Sequence, residues 1–403
     1  MSNIVCMTSG LRGLLNASFE VVSRLKRDGH RLTYACPHDV GELVRGQGID
    51  YVQLPPTNFD PAPPPPGGRF LKRFTRSATA ESRREAGVRA LGMDDFRSVI
   101  EDLAPDLVLV DTEMYEYIFT LQAMGVPVLG LSPFFAQWPG LGLPPLALSA
   151  TPADTDAVSR HLALRAEQIE SVSRKYERTE RRSVLLAYAE SLGLDTKRLE
   201  QTGALMLFVD TQLPTLLLTA RELDFPHAPP DNAHFVGPMV AMDRTDADVD
   251  AGDRERLDGV LSQDRTGPLL YCPLSTMNTS QGDFAQRLVA CVAERPEWTL
   301  VVAGARDLDD SAPNVHAFGY LPQMRVLVHA DLCITMAGMN TVHESLMAGV
   351  PMLAFPMHYD QPGVASRLAH RGLAHVGAAE DSADRMGARI ERALADTDLS
   401  ENV

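Results

Sequence analysis

The chain has 403 residues, of which 45% are hydrophobic and 22% charged, a composition and length that suit two folded α/β domains. Its net charge of −16 argues against nucleic acids and anionic membranes as main partners, because phosphate binding needs clustered Lys and Arg. Five scattered cysteines without a CxxC pair are typical of buried thiols in a reducing compartment. The sequence starts as a strand rather than as a signal peptide, and no apolar run reaches the roughly 18 residues of a membrane span. We therefore expect a cytoplasmic protein.

The first half of the chain alternates short apolar runs with helical patterns. The runs IVCMTS, RLTYACP, DYVQL, PDLVLVD and VPVLGLSP predict strands, and their alternation with helices is typical of a parallel, doubly wound sheet. Proline-rich residues 54–69 interrupt this pattern and predict a long loop. Residues 152–205 are polar and nearly free of Gly and Pro, so they predict long helices added to the sheet domain.

The alternation restarts in the second half, after a proline-rich and acidic stretch. That stretch ends in DRTDADVDAGDRE, which we expect to be a loop. The fold class is therefore α/β, with two Rossmann-like doubly wound domains facing a deep cleft. The expected parts are a first domain at 1–221 that binds the acceptor, with its helical insertion at about 152–205; a linker at 222–245; a second domain at 246–385 that binds the donor; and a C-terminal tail at 386–403 that crosses back to the first domain.

The stretch ITMAGMNTVHESLMAGVPMLAFPMHYDQ, residues 334–361, predicts a strand, a turn of small residues, a helix, a second strand and a polar pair. Small residues let the backbone approach a ligand, and a helix N-terminus favours phosphate. Glu344, one helical turn on, can accept hydrogen bonds from two ribose hydroxyls. Asp360 and Gln361 can bind sugar hydroxyls. A glycine turn alone is a weak signal, but this combination indicates a nucleotide sugar.

Residues 319–375 resemble the donor-site signature of family 1 (UGT-like) glycosyltransferases of the two-domain GT-B fold, through GYLPQ, GMNTVHESLMAGVPMLAFP and DQPGVASRLAHRGLA. Three further segments are similar to other parts of that family: FVGP, LLYCPLST and GLLNASFEVVSRLKRDGHRLTYACP. The resemblance, which is closest to bacterial natural-product enzymes, implies inverting transfer of a hexose from a nucleotide diphosphate sugar to a small hydrophobic metabolite. It implies a UDP-hexose as co-substrate, with no cofactor, no metal and no nucleic acid partner.

The resemblance also implies roles for single residues. Tyr320 stacks on the nucleotide base, Gln323 contacts the base or ribose, Glu344 binds the ribose, and Asp360 and Gln361 bind the sugar. The residues expected around the diphosphate are Ser275, Thr276, Met336, Gly338, Asn340 and Thr341. Met336 is a departure, because the family usually has a histidine there that donates to a diphosphate oxygen. Phosphate binding then depends on main-chain N–H groups, the helix dipole and hydroxyls.

A second departure concerns catalysis. Leu14 stands where the family has its general base, a histidine, and leucine cannot take a proton. Asp111, the family's partner of that histidine, is the first candidate to replace it, and Glu113 and His358 are less favoured ones. An amine, thiol or acidic phenol as acceptor would need no strong base.

The acceptor residues expected in the first domain are Leu14, Phe134, Phe135 and Trp138. The alternative function is a non-catalytic homologue that binds nucleotide sugars or activates a partner. A nucleotide-sugar 2-epimerase is less favoured, because the chain lacks the acid-rich and Arg/His-rich cluster that we expect there.

Overall fold

The computed structural model describes residues 1–57, 84–135, 138, 141–156, 177–200, 208–242, 249–274 and 282–403. The chain forms two compact units, each made from several stretches of sequence. The first unit comprises 1–141, 159–218 and 228–236, and the second comprises 142–158, 219–227 and 237–403. Within the described ranges no helix is long and apolar enough to cross a membrane.

The first unit contains a seven-stranded sheet in the order β3-β2-β1-β4-β5-β8-β9, in which every neighbouring pair is parallel. A separate antiparallel pair, β6 and β7, lies outside this sheet. The strands are β1 Asn3–Met7, β2 Arg31–Cys36, β3 Asp50–Gln53, β4 Leu107–Asp111, β5 Val128–Ser132, β6 Leu199–Glu200, β7 Val209–Asp210, β8 Thr215–Leu217 and β9 Ala233–Phe235.

Helices and apolar side chains complete the first unit. The helices are Arg12–Arg27, Gly41–Gly46, 84–90, Asp94–Leu103, Tyr115–Ala123 and Glu177–Ser191, with a 3₁₀ turn at Thr196–Arg198. The core joins strand residues such as Val5 and Val110 to helix residues such as Phe96, Tyr117 and Leu185. The run LVLVD of β4 is almost wholly buried, as expected for a central parallel strand.

The second unit contains a six-stranded parallel sheet in the order β12-β11-β10-β13-β14-β15. Its strands are β10 Leu269–Pro273, β11 Thr299–Ala303, β12 Val315–Phe318, β13 Leu332–Thr335, β14 Met352–Ala354 and β15 Ala374–Val376. Its helices are Ala251–Leu261, Gly282–Ala293, Gln323–Leu327, Met339–Ala348, Gln361–His370, Ala383–Ala395 and Thr397–Glu401, with a 3₁₀ turn at Arg221–Leu223. The prediction of two doubly wound, Rossmann-like domains is confirmed.

The structure differs from the sequence-based expectation in the acidic stretch. DRTDADVDAGDRE was expected to be a loop, but the helix Ala251–Leu261 begins inside it. The reason is a helix cap: the Asp250 carboxylate accepts from the main-chain N–H groups of Gly252 at 2.9 Å and Asp253 at 3.1 Å. The predicted linker also contains β9, which extends the first sheet. The crossing of the tail to the first domain stays a prediction.

Strand order reverses between β1 and β4 in the first sheet and between β10 and β13 in the second. In open parallel sheets, ligands bind outside the carboxyl ends of the strands at such reversals. The predicted base Asp111 is the last residue of β4, and the predicted diphosphate turn follows β13. Both candidate sites therefore lie where a doubly wound sheet binds its ligands.

Candidate functional site

The turn after β13 leads directly into the helix Met339–Ala348. Ala337 has a φ of +62° and its main-chain N–H donates to Thr335 Oγ1 at 3.1 Å, which closes the turn. Gly338 is the N-cap, and it has no side chain with which to cap the helix. A Cβ added to Gly338 would meet no described atom within 4 Å. The first turn of this helix therefore has no side-chain cap on its N–H groups, which is the kind of helix N-terminus that binds phosphate.

Met336 contributes to the core rather than to the open side of this turn. Its side chain is 3% exposed and packs in the cluster that includes Ile334, Leu353 and Phe355. The histidine that the resemblance leads us to expect is thus replaced by a core side chain. Contacts of Met336 with a phosphate are limited to its main chain.

Glu344 and Gln323 are hydrogen-bonded to each other. Gln323 Nε2 donates to Glu344 Oε2 at 2.7 Å, and Gln323 Oε1 accepts from the Tyr271 hydroxyl at 3.4 Å. Thr341 Oγ1 lies 3.5 Å from the same Gln323 nitrogen. Glu344 is buried, 4% exposed, so its carboxylate is held in one place. The network joins three residues expected at the nucleotide, and the structure adds Tyr271. Tyr320 and Asn340 are half-buried, after β12 and in the first helical turn.

The polar pair follows β14, the neighbour of β13, and so lies at the same edge of the sheet. Asp360 is 9% exposed, and burial raises its pKa from 3.8 to about 6. Gln361 Oε1 accepts from the main-chain N–H groups of Met357 at 2.9 Å and His358 at 3.1 Å, which fixes the loop. The half-buried His358 ring stands edge-on to Tyr359, with ring centres 5.3 Å apart. Two predicted phosphate ligands, Ser275 and Thr276, lie outside the described residues.

In the first unit, Asp111 Oδ1 accepts a hydrogen bond from the main-chain N–H of Glu113 at 2.9 Å. Asp111 is 4% exposed, and burial raises the pKa of its carboxyl. Glu113 is half-buried. Leu14, in the first turn of the helix Arg12–Arg27, is 6% exposed and cannot exchange protons.

Two of the predicted acceptor residues line a cavity of about 30 Å³ in the first unit. Phe135 and Trp138 line it together with Tyr115, Phe119 and Thr112. Thr112 Oγ1 and Trp138 Nε1 are buried without a hydrogen-bond partner among the described residues. Buried polar atoms normally have a hydrogen-bond partner, so these two atoms are available to a polar group of a ligand. Phe134 is half-buried and does not line the cavity; its main-chain N–H donates to Ser132 Oγ at 3.3 Å.

Tyr271 was missed by sequence reasoning. It lies in β10, the neighbour of β13, and its hydroxyl donates to Gln323 Oε1. The sequence signal for Tyr271 is its position in a strand that borders the reversal of strand order. Among the described residues, no group of three or more His, Cys, Asp or Glu side chains is arranged to hold a metal ion.

Comparisons with known proteins identify relatives along the length of the chain. The chain is 26% identical over 397 residues to the oleandomycin glycosyltransferase of Streptomyces antibioticus, covering 94% of this chain and 80% of that protein. It is 24% identical to the zeaxanthin glucosyltransferase of Pantoea ananas, covering 98% and 88%. The solved glycotransferase of kitacinnamycin superposes with a TM-score of 0.68 at 21% identity, over 100% of this chain and 92% of that one, which shows a shared fold.

The family profile described as "UDP-glucoronosyl and UDP-glucosyl transferase" matches residues 190–403. This match covers more than half of the chain and includes the turn after β13, Glu344 and the Asp360–Gln361 pair. The chain belongs to the UDP-glucoronosyl and UDP-glucosyl transferase family of glycosyltransferases.

Proposed function

We propose that this enzyme transfers a hexose from a UDP-hexose to a small, hydrophobic metabolite, with inversion at the anomeric carbon. In this proposal the second unit binds the donor and the first unit binds the acceptor. The observation that carries it is the polar edge of the second sheet. There an uncapped helix N-terminus with open space at Gly338, the buried Glu344 and the Asp360–Gln361 pair follow neighbouring parallel strands.

Each part of this edge suits one part of a nucleotide sugar. The N–H groups at the helix N-terminus suit the diphosphate, whose leaving charge they would stabilise without a metal ion. The Glu344 carboxylate suits a pair of ribose hydroxyls, which favours a ribonucleotide such as UDP. Asp360 and Gln361 suit the hydroxyls of the hexose. Activity should therefore survive EDTA, and restoration of lost activity by Mg²⁺ would contradict this part of the proposal.

An apolar acceptor is supported by the cavity in the first unit. Its wall is mostly aromatic and aliphatic, which suits an apolar group of an acceptor. Thr112 Oγ1 and Trp138 Nε1 would pair with one polar group of that end. The relatives named for oleandomycin and zeaxanthin support a natural-product acceptor. Five buried thiols support a cytoplasmic enzyme.

The test is a transfer assay with UDP-glucose and a panel of phenols and apolar alcohols, with UDP release and glucoside formation both measured. We expect glucoside formation with a β-linkage from an α-linked donor. If calorimetry showed UDP binding and no acceptor were glucosylated, the non-catalytic alternative would be supported. The leucine at position 14, where the family has its histidine, favours that alternative. Failure to bind UDP would contradict both functions.

A further inference from the structure

The residues proposed to bind the donor follow the second sheet in the same order as the parts of a nucleotide sugar. Five strands of that sheet lie side by side in the order β14, β13, β10, β11 and β12. The hexose pair Asp360–Gln361 follows β14, and the diphosphate turn follows β13. Glu344, proposed for the ribose, is linked through Gln323 to Tyr271 of β10. The base is attached to the ribose on the side away from the diphosphate, so this order brings the base to the ends of β11 and β12.

Arg306 and Tyr320 stand at these two strand ends. Arg306 is the third residue after β11, and Tyr320 is the second residue after β12. The two strands stay together beyond their ends, because the main-chain N–H of Gly304 donates to the Gly319 carbonyl at 2.6 Å. An arginine and an aromatic residue are therefore brought to the same corner of the sheet edge.

The Arg306 guanidinium lies against Gly319, the residue before Tyr320. A Cβ added to Gly319 would be 2.9 Å from Arg306 Nε and 3.0 Å from Nη2, which is closer than ordinary contact allows. Gly319 has no positive φ, so the backbone conformation does not require a glycine there. Glycine at this position therefore lets the guanidinium lie directly on the main chain that leads into Tyr320.

Asp253 holds the guanidinium in this place. Its Oδ2 accepts from Arg306 Nη2 at 2.6 Å, and its side chain is only 12% exposed, in the capped first turn of the helix Ala251–Leu261. The Arg306 side chain is itself 61% exposed. A guanidinium has five N–H donors in a rigid fork, so the bond to Asp253 leaves donors that a ligand can reach.

We propose that Arg306 recognises the base of the donor nucleotide by donating to the carbonyl oxygen O4 of uracil. This inference rests on the donor binding proposed above and adds selectivity for the base to it. Tyr320 supplies an aromatic ring on which a flat base can stack, and stacking alone accepts any base. The edge of a base stacked there is open to donors from the neighbouring strand end, where Arg306 lies.

Uracil and cytosine differ at the position that this contact reads. O4 of uracil accepts hydrogen bonds, as O4 of thymine does, whereas the N4 amino group of cytosine donates them. The guanidinium only donates, so it matches uracil and leaves two donors facing each other with cytosine. Because UDP and CDP carry the same ribose and diphosphate, the general attraction of a cation for phosphate cancels when the two are compared.

Titration calorimetry with UDP and CDP tests the inference without an acceptor. The wild type should bind UDP at least about tenfold more tightly than CDP, which is the size of a charge-assisted hydrogen bond. Arg306→Met should reduce this preference to less than about threefold, mainly by weakening UDP binding. In 4-thio-UDP a weakly accepting sulfur replaces O4, so the wild type should bind it less tightly than UDP, and Arg306→Met should bind the two equally.

Arg256 provides the matched control. It pairs with Asp310, its Nη1 donates to the Ala317 carbonyl at 2.9 Å, and its guanidinium lies 4.6 Å from the centre of the Phe318 ring. Arg256→Met removes the same charge beside the same strand, β12, and should leave the preference for UDP over CDP unchanged. An equal loss of preference in Arg256→Met and Arg306→Met would overturn the inference, because charge or local packing would then explain both.

The remaining outcomes separate this inference from the proposed function. Equal wild-type affinity for UDP and 4-thio-UDP would overturn the reading of O4 and needs no variant, so the test does not depend on the folding of Arg306→Met. Full preference for UDP in a folded Arg306→Met protein would also overturn the inference and leave the proposed function intact. Binding of neither UDP nor CDP by the wild type would contradict the proposed function and, with it, the role of Arg306.

Discussion

At the scale of single residues, the turn after β13 uses its two small residues for different purposes. Ala337 carries the left-handed backbone conformation, at a cost of about 1–2 kcal/mol for an L-residue, and is fully buried. Gly338 has a φ of −70°, which any residue adopts. The glycine is therefore not needed by the backbone, and we attribute it to the close approach of a ligand.

Gly338→Ala should leave the melting temperature unchanged and weaken UDP binding by at least about tenfold, which is about 1.4 kcal/mol. Gly349 is the matched control, because it ends the same helix with a φ of +69°. Gly349→Ala should destabilise the fold by about 1 kcal/mol and leave UDP affinity unchanged. Calorimetry and thermal denaturation of both variants decide this, and equal UDP affinity in wild type and Gly338→Ala would contradict it.

Asp360 makes stability depend on pH with a sign opposite to that of most carboxylates. Its pKa rises from 3.8 to about 6 on folding because burial disfavours the charge. The protonated form therefore stabilises the fold fully below the unfolded value of 3.8, and this contribution is lost as the pH rises through about 6. Asp360→Asn should raise the stability by up to about 3 kcal/mol at about pH 8 and leave it unchanged at about pH 4.

Asp154 serves as a control of opposite sign for this measurement. Its exposed carboxylate accepts from the main-chain N–H and hydroxyl of Thr151, which lowers its pKa. Asp154→Asn should therefore reduce stability at neutral pH and lose this effect in acid. Denaturant unfolding of both variants across the pH range is the check. A stability gain in Asp360→Asn that persists at about pH 4 would show that the gain is not electrostatic.

At the scale of elements, the helix Met339–Ala348 holds the buried acid Glu344, and a residue of a second helix donates a hydrogen bond to it. Glu344 accepts from Gln323, at the start of the helix Gln323–Leu327. If the acid binds the ribose hydroxyls, the wild type should prefer UDP to 2′-deoxy-UDP by about tenfold, the size of a charge-assisted hydrogen bond. Glu344→Ala should remove this preference.

Gln323→Ala separates the two roles that Glu344 can have. It keeps the carboxylate and removes its hydrogen-bond partner, so some preference for UDP should remain. If Gln323→Ala and Glu344→Ala had the same effect on both nucleotides, Glu344 would serve only to hold Gln323. Titration calorimetry with the two nucleotides measures the effect without any need for an acceptor.

The same elements show how far sequence reasoning reaches. The strand runs and the turn between β13 and its helix could be predicted because apolar patterning and small residues are local signals. The helix cap at Asp250 was hidden by its acidic neighbours, although Asp before a helix is itself a local signal. The Gln323–Glu344 hydrogen bond joins residues 21 positions apart, and the core cluster that buries Met336 includes side chains from separate strands, such as Ile334 in β13 and Leu353 in β14. No local pattern encodes such contacts.

At the scale of the whole molecule, the two units are interleaved in sequence. Residues 142–158 and 219–227 belong to the second unit, although first-unit residues follow each of them. Asp224 Oδ1 accepts from Arg367 Nε at 2.6 Å, with both side chains at most 1% exposed, and the guanidinium stacks 4.7 Å above the Phe225 ring. The main-chain N–H of Gly363 donates to the Leu146 carbonyl at 2.7 Å. Both early segments are thus tied to the helix Gln361–His370.

Breaking the buried ion pair should destabilise the second unit strongly. Asp224→Asn and Arg367→Met should each cost about 3–5 kcal/mol, because each leaves a buried charge without its partner, and Asp224→Leu combined with Arg367→Met should cost less than either. The chain has two tryptophans, Trp138 in the first unit and Trp298 in the second. In a Trp138→Phe background, urea unfolding followed by fluorescence reports the second unit. If the double variant lost as much unfolding free energy as the two single variants together, the coupling between the two residues would be contradicted.

The interleaving also means that the two partners of the buried ion pair are synthesised at different times. Asp224 and Arg367 are 143 residues apart, so a ribosome that adds about 5–20 residues per second makes the arginine roughly 7–30 s after the aspartate. For that time the segment 219–227 has no finished unit to join. It has to remain soluble without its final partners, and RELDFPHAPPDN at 221–232, rich in proline and charge, has the composition to do so.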